Sequence, residues 1–159
     1  MFKKMIKRAL FSLISAYLCA SYFGCGIETY QQVSTLASPL GLTAVETNFG
    51  SGNIIFLQFW GLNNEPFFSG YYIYMAETPN DLFIGNGMPL LNTQGQVGRP
   101  TIYNIPPMTS AQQFSYTVTY YTNYTPLQSG STYFFFVKAY SYEYNIYSDP
   151  CNVTNVTFY

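Results

Sequence analysis

From Ser38 to its last residue, the chain alternates between short apolar runs and groups of turn-forming residues. The runs lie at residues 41–47, 53–62, 69–78, 112–122, 131–143 and 151–159. Aromatic and β-branched residues dominate them, and none shows the period of an amphipathic helix over three turns. Several short strands at this spacing predict an all-β protein, with an antiparallel sandwich or a barrel as its architecture.

One of these runs, STYFFFVKAY at residues 131–140, is aromatic on both faces of the predicted strand. Successive side chains of a strand point to opposite faces. The predicted core face carries Tyr133, Phe135, Val137 and Ala139. The opposite face carries Phe134, Phe136 and Tyr140. A second aromatic face needs a cover of its own, because monomers seldom leave such a patch bare.

Charge and composition exclude several classes of function. The chain has no histidine, which removes the commonest general base near neutral pH and the commonest zinc ligand. After residue 8 the basic residues are Arg99 and Lys138, so there is no basic patch to hold nucleic acid. The acids form no motif suited to two-carboxylate hydrolysis. We expect no catalytic residue, no metal site, no cofactor and no nucleic-acid partner.

The first 26 residues, MFKKMIKRALFSLISAYLCASYFGCG, have the form of an export signal, with a cationic start, an apolar stretch and small residues near the end. The apolar stretch, residues 9–24, is shorter than the roughly 20 residues of a membrane-spanning helix. Gly24-Cys25 resembles the cleavage site of bacterial lipoproteins, and with Tyr22 and Phe23 it is similar to the looser sites of spirochaete-type lipoproteins. The resemblance implies lipidation of Cys25 and anchoring in the cell envelope, at the outer membrane or cell surface. An ordinary secretion signal and an uncleaved anchor are the alternatives.

The strand-like region resembles a fibronectin type III domain. LQSGSTYFFFVKAYSYEYNIYSDPCNVTNVTF, residues 127–158, is similar to the last third of that domain, and FSGYYIYMAET to its strand C. Trp60 resembles the strand B tryptophan, but it shares parity with Gln58, and Ile55, Leu57 and Phe59 lie on the other face. Either a bulge near Gln58 turns Trp60 inward, or Trp60 is not the counterpart of that tryptophan. The resemblance implies a β-sandwich in which Tyr133 bonds through its hydroxyl to backbone near residues 127–130.

The resulting organisation has four parts. Residues 1–24 form a signal peptide, residues 25–37 a flexible tether, and residues 38–159 the fibronectin type III-like domain. Within that domain, residues 79–110 form a long insertion between strands C and E. Long structured loops of this kind are often functional. Cys151 has no predicted disulfide partner and is expected to be a small, semi-buried apolar residue.

The resemblance also places the second aromatic face. Strands C and F of the fold lie in one sheet, so the outward side chains of both strands form one candidate binding patch of Tyr72, Tyr74, Phe134, Phe136 and Tyr140. Segment 79–110 could cover this patch through Leu82, Phe83, Ile84, Leu90, Leu91 and Ile102. Alternatively, the patch is a recognition surface for a protein or a carbohydrate.

The sequence therefore predicts a lipid-anchored, non-catalytic binding or adhesion module of the bacterial cell envelope. A structural envelope lipoprotein that self-associates or scaffolds a larger assembly is the main alternative. A small outer-membrane barrel is a further one.

Overall fold

The structure, a computed structural model, describes residues 35–48, 50, 52–85, 87–90, 99–121 and 125–159. The predicted signal peptide, Cys25 and residues 25–34 of the predicted tether lie outside these residues. The elements, in chain order, are β1 (Leu40–Asn48), β2 (Asn53–Gly61), β3 (Gly70–Ala76), α1 (Pro79–Phe83), β4 (Met88–Pro89), β5 (Ile102–Tyr103), β6 (Gln112–Val118), β7 (Tyr120–Tyr121), β8 (Thr125–Pro126), β9 (Thr132–Ser141), β10 (Ile146–Tyr147) and β11 (Thr154–Thr157).

The strands form two main antiparallel sheets. Sheet A has the order β1-β2-β6. Sheet B has the order β10-β9-β3-β4, with β11 also paired to β9 and β5 to β3. The prediction of an all-β antiparallel protein with a sandwich-like architecture is confirmed.

The core lies between the inner faces of the two sheets. Sheet A contributes Ile55, Leu57 and Phe59, and sheet B contributes Tyr71, Ile73, Met75, Tyr133, Phe135 and Val137, all fully buried. These positions alternate along β2, β3 and β9, as expected for strands with one face in a core. The rings of Phe59 and Tyr71 meet edge to face across the core, with centroids 5.1 Å apart. The predicted inward positions of β3 and β9 are therefore confirmed.

Trp60 is not a core residue, and the bulge that would have turned it inward is not present in β2. The pairing of β2 with β6 runs unbroken from Ile55 opposite Val118 to Gly61 opposite Gln112, so β2 contains no bulge at Gln58. The irregularity lies on β1 instead, between Leu40 and Thr43. With its period intact, β2 turns Phe59 into the core and leaves Trp60 47% exposed.

The turn before β9 is fixed by Tyr133. Its buried hydroxyl accepts a hydrogen bond from the backbone N–H of Gln128 at 2.8 Å. The predicted partner lay within residues 127–130, so this prediction is confirmed. Gly130 follows in the left-handed region, with φ 84°, and its N–H bonds to the carbonyl of Phe158.

Segment 79–110 extends sheet B as well as contributing side chains. It begins with α1, where the Thr78 side chain caps the helix by accepting from the N–H of Asp81. Strands β4 and β5 then pair with the edge of β3. The Thr101 hydroxyl joins the segment to β3, accepting from Ile73 N–H at 3.1 Å and donating to the Leu90 carbonyl at 2.9 Å.

The domain begins earlier than residue 38, where we placed its boundary. Leu36 is buried in the core cluster. The backbone of Ala37 is held from both sides, since its N–H donates to Glu65 Oε1 at 2.8 Å and its carbonyl accepts from Asn63 Nδ2 at 3.0 Å. The last described residues of the predicted tether are thus part of the packed domain.

Candidate binding surfaces

The outer face of sheet B brings the five predicted patch residues together. In the register of β3 with β9, Tyr74 lies opposite Phe136, and Tyr72 lies opposite Lys138. Phe134 and Tyr140 lie at the two ends of the same pairing, opposite Ala76 and Gly70. The side chains of directly opposed and diagonal positions are within reach of one another on a sheet face.

The rings on this face form a continuous set of contacts, here called the outer aromatic cluster, which consists of Tyr72, Tyr74, Phe83, Phe136, Tyr140 and Tyr147. The ring centroids of Tyr74 and Phe136 are 4.9 Å apart, and those of Tyr72 and Tyr140 are 5.1 Å apart. Tyr147 contacts Tyr140 at 4.7 Å, and Phe83 stacks on Phe136 at 6.4 Å. Aromatic pairs at these separations contribute about 0.5–1.5 kcal/mol each beyond the area they bury.

Most of the predicted patch is not open surface. Tyr72, Phe136 and Tyr140 are buried, while Tyr74 and Phe134 are half-buried. The accessible part is the margin of the cluster, here called the aromatic rim and formed by Phe83 and Tyr147. A partner can reach this face at the rim without any rearrangement of the buried rings.

The predicted cover is correct for some residues and wrong for others. It is correct for Phe83, whose exposed ring stacks on Phe136. Leu90 and Ile102 lie opposite Ile73 and Tyr71 of β3, so they face the core and not the patch. Leu82 is buried in the core cluster, and Ile84 is exposed. Leu91 lies outside the described residues. Tyr147 of β10, which sequence reasoning missed, contributes to the cover by contacting Tyr72 and Tyr140.

Tyr72 and Tyr74 of the outer aromatic cluster are uncharged near neutral pH. Burial, together with nearby Tyr147 and Tyr140, raises the pKa of Tyr72 to about 12. Burial also raises the pKa of Tyr74. Lys138 lies over the cluster with its Nζ 5.5 Å from the centroid of Phe136, close enough for an attraction between the cation and the ring.

A second outward surface occurs on sheet A. Its positions, here called the sheet A platform, are Leu40, Thr43, Val45, Phe56, Gln58, Trp60, Gln113, Ser115 and Thr117. They share one face because Gln58 lies opposite both Thr43 and Ser115, and Phe56 lies opposite both Val45 and Thr117. The sequence signal for this surface was the shared parity of Gln58 and Trp60, opposite to that of Ile55, Leu57 and Phe59.

Cys151 has a structural role that its residue type did not reveal. Strands β10 and β11 both pair with β9, and between them the backbone N–H groups of Ser148 and Cys151 donate to the carbonyls of Ala139 and Val137. The Cys151 Sγ accepts from Val137 N–H at 3.1 Å, and the Ser148 hydroxyl accepts from Ala139 N–H at 2.9 Å. Burial raises the pKa of the Cys151 thiol to about 11. The thiol therefore satisfies a backbone donor as well as filling space.

Neither a metal-binding group nor a membrane-spanning helix occurs in the part of the chain that the structure describes. It holds no group of three or more His, Cys, Asp or Glu side chains able to bind a metal ion. None of its helices is both long and apolar enough to cross a membrane. The predicted lipidation site, Cys25, lies outside it. No protein-family model, no curated protein and no solved structure matches this chain.

Proposed function

We propose that this protein is a lipid-anchored, non-catalytic binding module of the bacterial cell envelope, which holds a protein or carbohydrate partner. The observation that carries the proposal is the aromatic rim: Phe83 and Tyr147 are exposed, and their rings contact the buried rings of Phe136 and Tyr140. Exposed apolar groups on a rigid support are typical of interaction sites.

The support under the rim makes it suited to recognition. Tyr147 contacts the rings of Tyr72 and Tyr140, which are themselves buried on β3 and β9. A partner therefore meets side chains that are already ordered, so little conformational entropy is lost on binding. Tyrosine also offers a hydroxyl beside its apolar ring, which suits both protein and sugar surfaces.

The domain proposed to carry this surface is fibronectin type III-like. Two features support that assignment. The division of strands, β1-β2-β6 against β3, β9 and β11, agrees with strands A, B and E against C, F and G of that fold. The hydrogen bond from Gln128 to Tyr133 agrees with a tyrosine corner. The exposed Trp60 is a departure from the fold's pattern.

The proposed anchor is a lipid on Cys25. It rests on the resemblance of Gly24-Cys25 to a lipoprotein cleavage site. Leu36, the first buried side chain among the described residues, follows Cys25 by 11 residues, which reach at most roughly 40 Å when fully extended. The domain would thus stay close to the membrane. Cys25→Ser should release the protein from the membrane fraction, and a palmitate label that persists in this variant would refute the anchor.

The binding proposal is tested by a photo-crosslinking residue introduced at Tyr147 in intact cells. We expect a discrete adduct with one partner. Tyr120 of β7 is the matched control, because its exposed fraction of 51% is close to the 45% of Tyr147 and it is not part of the rim. Equal adducts at both positions, or none at Tyr147, would count against the rim as a binding surface.

Self-association is the second candidate, and one observation favours it. Phe83 and Ile84 are adjacent and both are exposed, each by more than half of its surface. Sedimentation equilibrium separates the two functions, since Ile84→Lys should dissociate a self-assembled protein. A protein that is monomeric at all concentrations would refute self-association and leave only the binding function.

A further inference from the structure

The sheet A platform has the composition of a binding surface, and it lies on a different sheet from the aromatic rim. Along β2, Phe56, Gln58 and Trp60 occupy three successive outward positions. Phe56 and Trp60 are thus separated by about 13 Å along the strand, at roughly 3.3 Å per residue. The indole of Trp60 lies beside Gly41, where a Cβ would be 3.6 Å from its Cδ1 atom. Gly41 has φ 65° and belongs to the β1 irregularity, so the bulge leaves room for the indole.

Three polar side chains of the platform make no hydrogen bond within the described part of the chain. Among the described residues, no hydrogen bond involves the indole N–H of Trp60 or the side-chain amides of Gln58 and Gln113. Gln113 lies opposite Trp60 on β6, and Ser115 lies opposite Gln58. Donors and acceptors are therefore available directly beside each ring.

The platform carries no charge, since all nine of its positions are apolar, hydroxyl or amide residues. A charged ligand would meet no opposite charge on this surface, whereas an uncharged ligand needs none. Its size also restricts the occupant. Three strands and the rows from Phe56 to Trp60 span about 10 Å by 15 Å, at roughly 4.8 Å between strands. A stable protein interface buries about 800 Å² on each partner, which is much more than the platform offers, so the platform suits a narrower ligand.

From these observations we propose that the sheet A platform binds a neutral polysaccharide strand that runs along β2. The indole of Trp60 and the ring of Phe56 stack on the C–H faces of sugar rings. The amides of Gln58 and Gln113 exchange hydrogen bonds with the hydroxyl groups between them. The inference does not rest on the aromatic rim, because the two surfaces share no residue and each can fail without the other.

The chain's only tryptophan is Trp60, which makes binding directly observable. The purified full-length protein is run through native gels that contain hydroxyethylcellulose, galactomannan or glycogen, with carboxymethylcellulose as the charged comparison. We expect retardation in at least one neutral gel. We also expect the Trp60 emission to shift to the blue when the same polymer is added, because stacking removes water from the indole.

Three variants decide whether the platform is responsible. Trp60→Ala should abolish the retardation, and Gln58→Ala should weaken it. Tyr120→Ala, with a similar exposed fraction and a position in neither surface, should leave it unchanged. Far-ultraviolet circular dichroism identical to that of the unmodified protein shows that each variant is folded.

Other outcomes would overturn the inference. Mobility and emission that are unchanged with all three neutral polymers would do so. So would retardation that survives Trp60→Ala, since another surface would then be responsible. A blue shift that appears with rising protein concentration alone would assign the platform to a second copy of the chain instead.

Discussion

Replacing Gly61 by Ala should destabilise the protein by a large amount, because a side-chain ring occupies the space beside this glycine. A Cβ on Gly61 would lie 1.9 Å from the Oη and 2.6 Å from the Cζ of Tyr71, so the tyrosine would have to move. The Tyr71 hydroxyl donates to Asn63 Oδ1 at 2.7 Å, and both residues are fully buried. Overpacking costs about 1–3 kcal/mol and a buried group left unpaired costs about 1–3 kcal/mol, so we expect a loss of roughly 2–6 kcal/mol.

A double-mutant cycle with Tyr71→Phe tests the cause of this loss. The single change Tyr71→Phe removes the hydroxyl and should cost about 1–3 kcal/mol, because Asn63 Oδ1 then loses its partner. In the double variant the closest contact is already gone, and the hydrogen bond can be lost only once. The two losses should therefore fall short of additivity by about 1 kcal/mol or more, as expected for residues in contact.

The free energies of unfolding would come from urea titrations followed by circular dichroism. Ser115→Ala is the control on the same sheet, because its exposed side chain should change stability by no more than about 0.5 kcal/mol. A Gly61→Ala protein as stable as the control, or a strictly additive cycle, would refute the reasoning. Either result would mean that Tyr71 moves aside without losing its buried hydrogen bond.

Three further predictions concern the core and the outer aromatic cluster. Tyr133→Phe should lower the free energy of unfolding by about 1–3 kcal/mol, since Gln128 N–H loses its acceptor, and an unchanged denaturation midpoint would contradict this. Phe136→Ala should cost about 3–5 kcal/mol because the ring is 4% exposed, and a much smaller loss would mean that its packing is loose. The pKa of Tyr72 is raised from 10 to about 12, so its contribution to stability is complete below pH 10 and is lost as the pH rises towards 12. Phenolate absorbance and unfolding titrations across that interval check this, and ionisation of all the tyrosines at pH 10 in the folded protein would disprove it.

The strands could be predicted from the sequence because their signal is local. Aromatic and β-branched runs with a period of two gave the positions of β2, β3 and β9, and the same period assigned their inward side chains. For Trp60, the family resemblance required a bulge that broke this period, and the structure keeps the period instead. Ile55, Leu57 and Phe59 already defined the buried face of β2, and its opposite parity placed Trp60 outside.

Features that depend on distant contacts could not be predicted in this way. The burial of Asn63 depends on Tyr71 and on Ala37, which lies 26 residues earlier in the chain. Tyr147 covers Tyr72 only because β10 pairs with β9, and two residues of pairing leave little pattern in the sequence. The same limit applies to the candidate surfaces. The sequence showed which residues of each strand share a face, but whether that face is covered depends on segments that lie elsewhere in the chain.

The interruption between β10 and β11 has a consequence for the behaviour of the protein in concentrated solution. A long, flat strand at the border of a sheet can template the addition of a strand from another molecule, which is how aggregates begin. Here one border of sheet B is interrupted around Pro150, where the side chains of Ser148 and Cys151 replace backbone carbonyls as acceptors for two N–H groups of β9. The other is formed partly by the two residues of β4, one of which is Pro89. For a chain that is 20% aromatic and only 8% charged, charge repulsion offers little protection, and these broken borders keep its most apolar strands from recruiting copies of themselves.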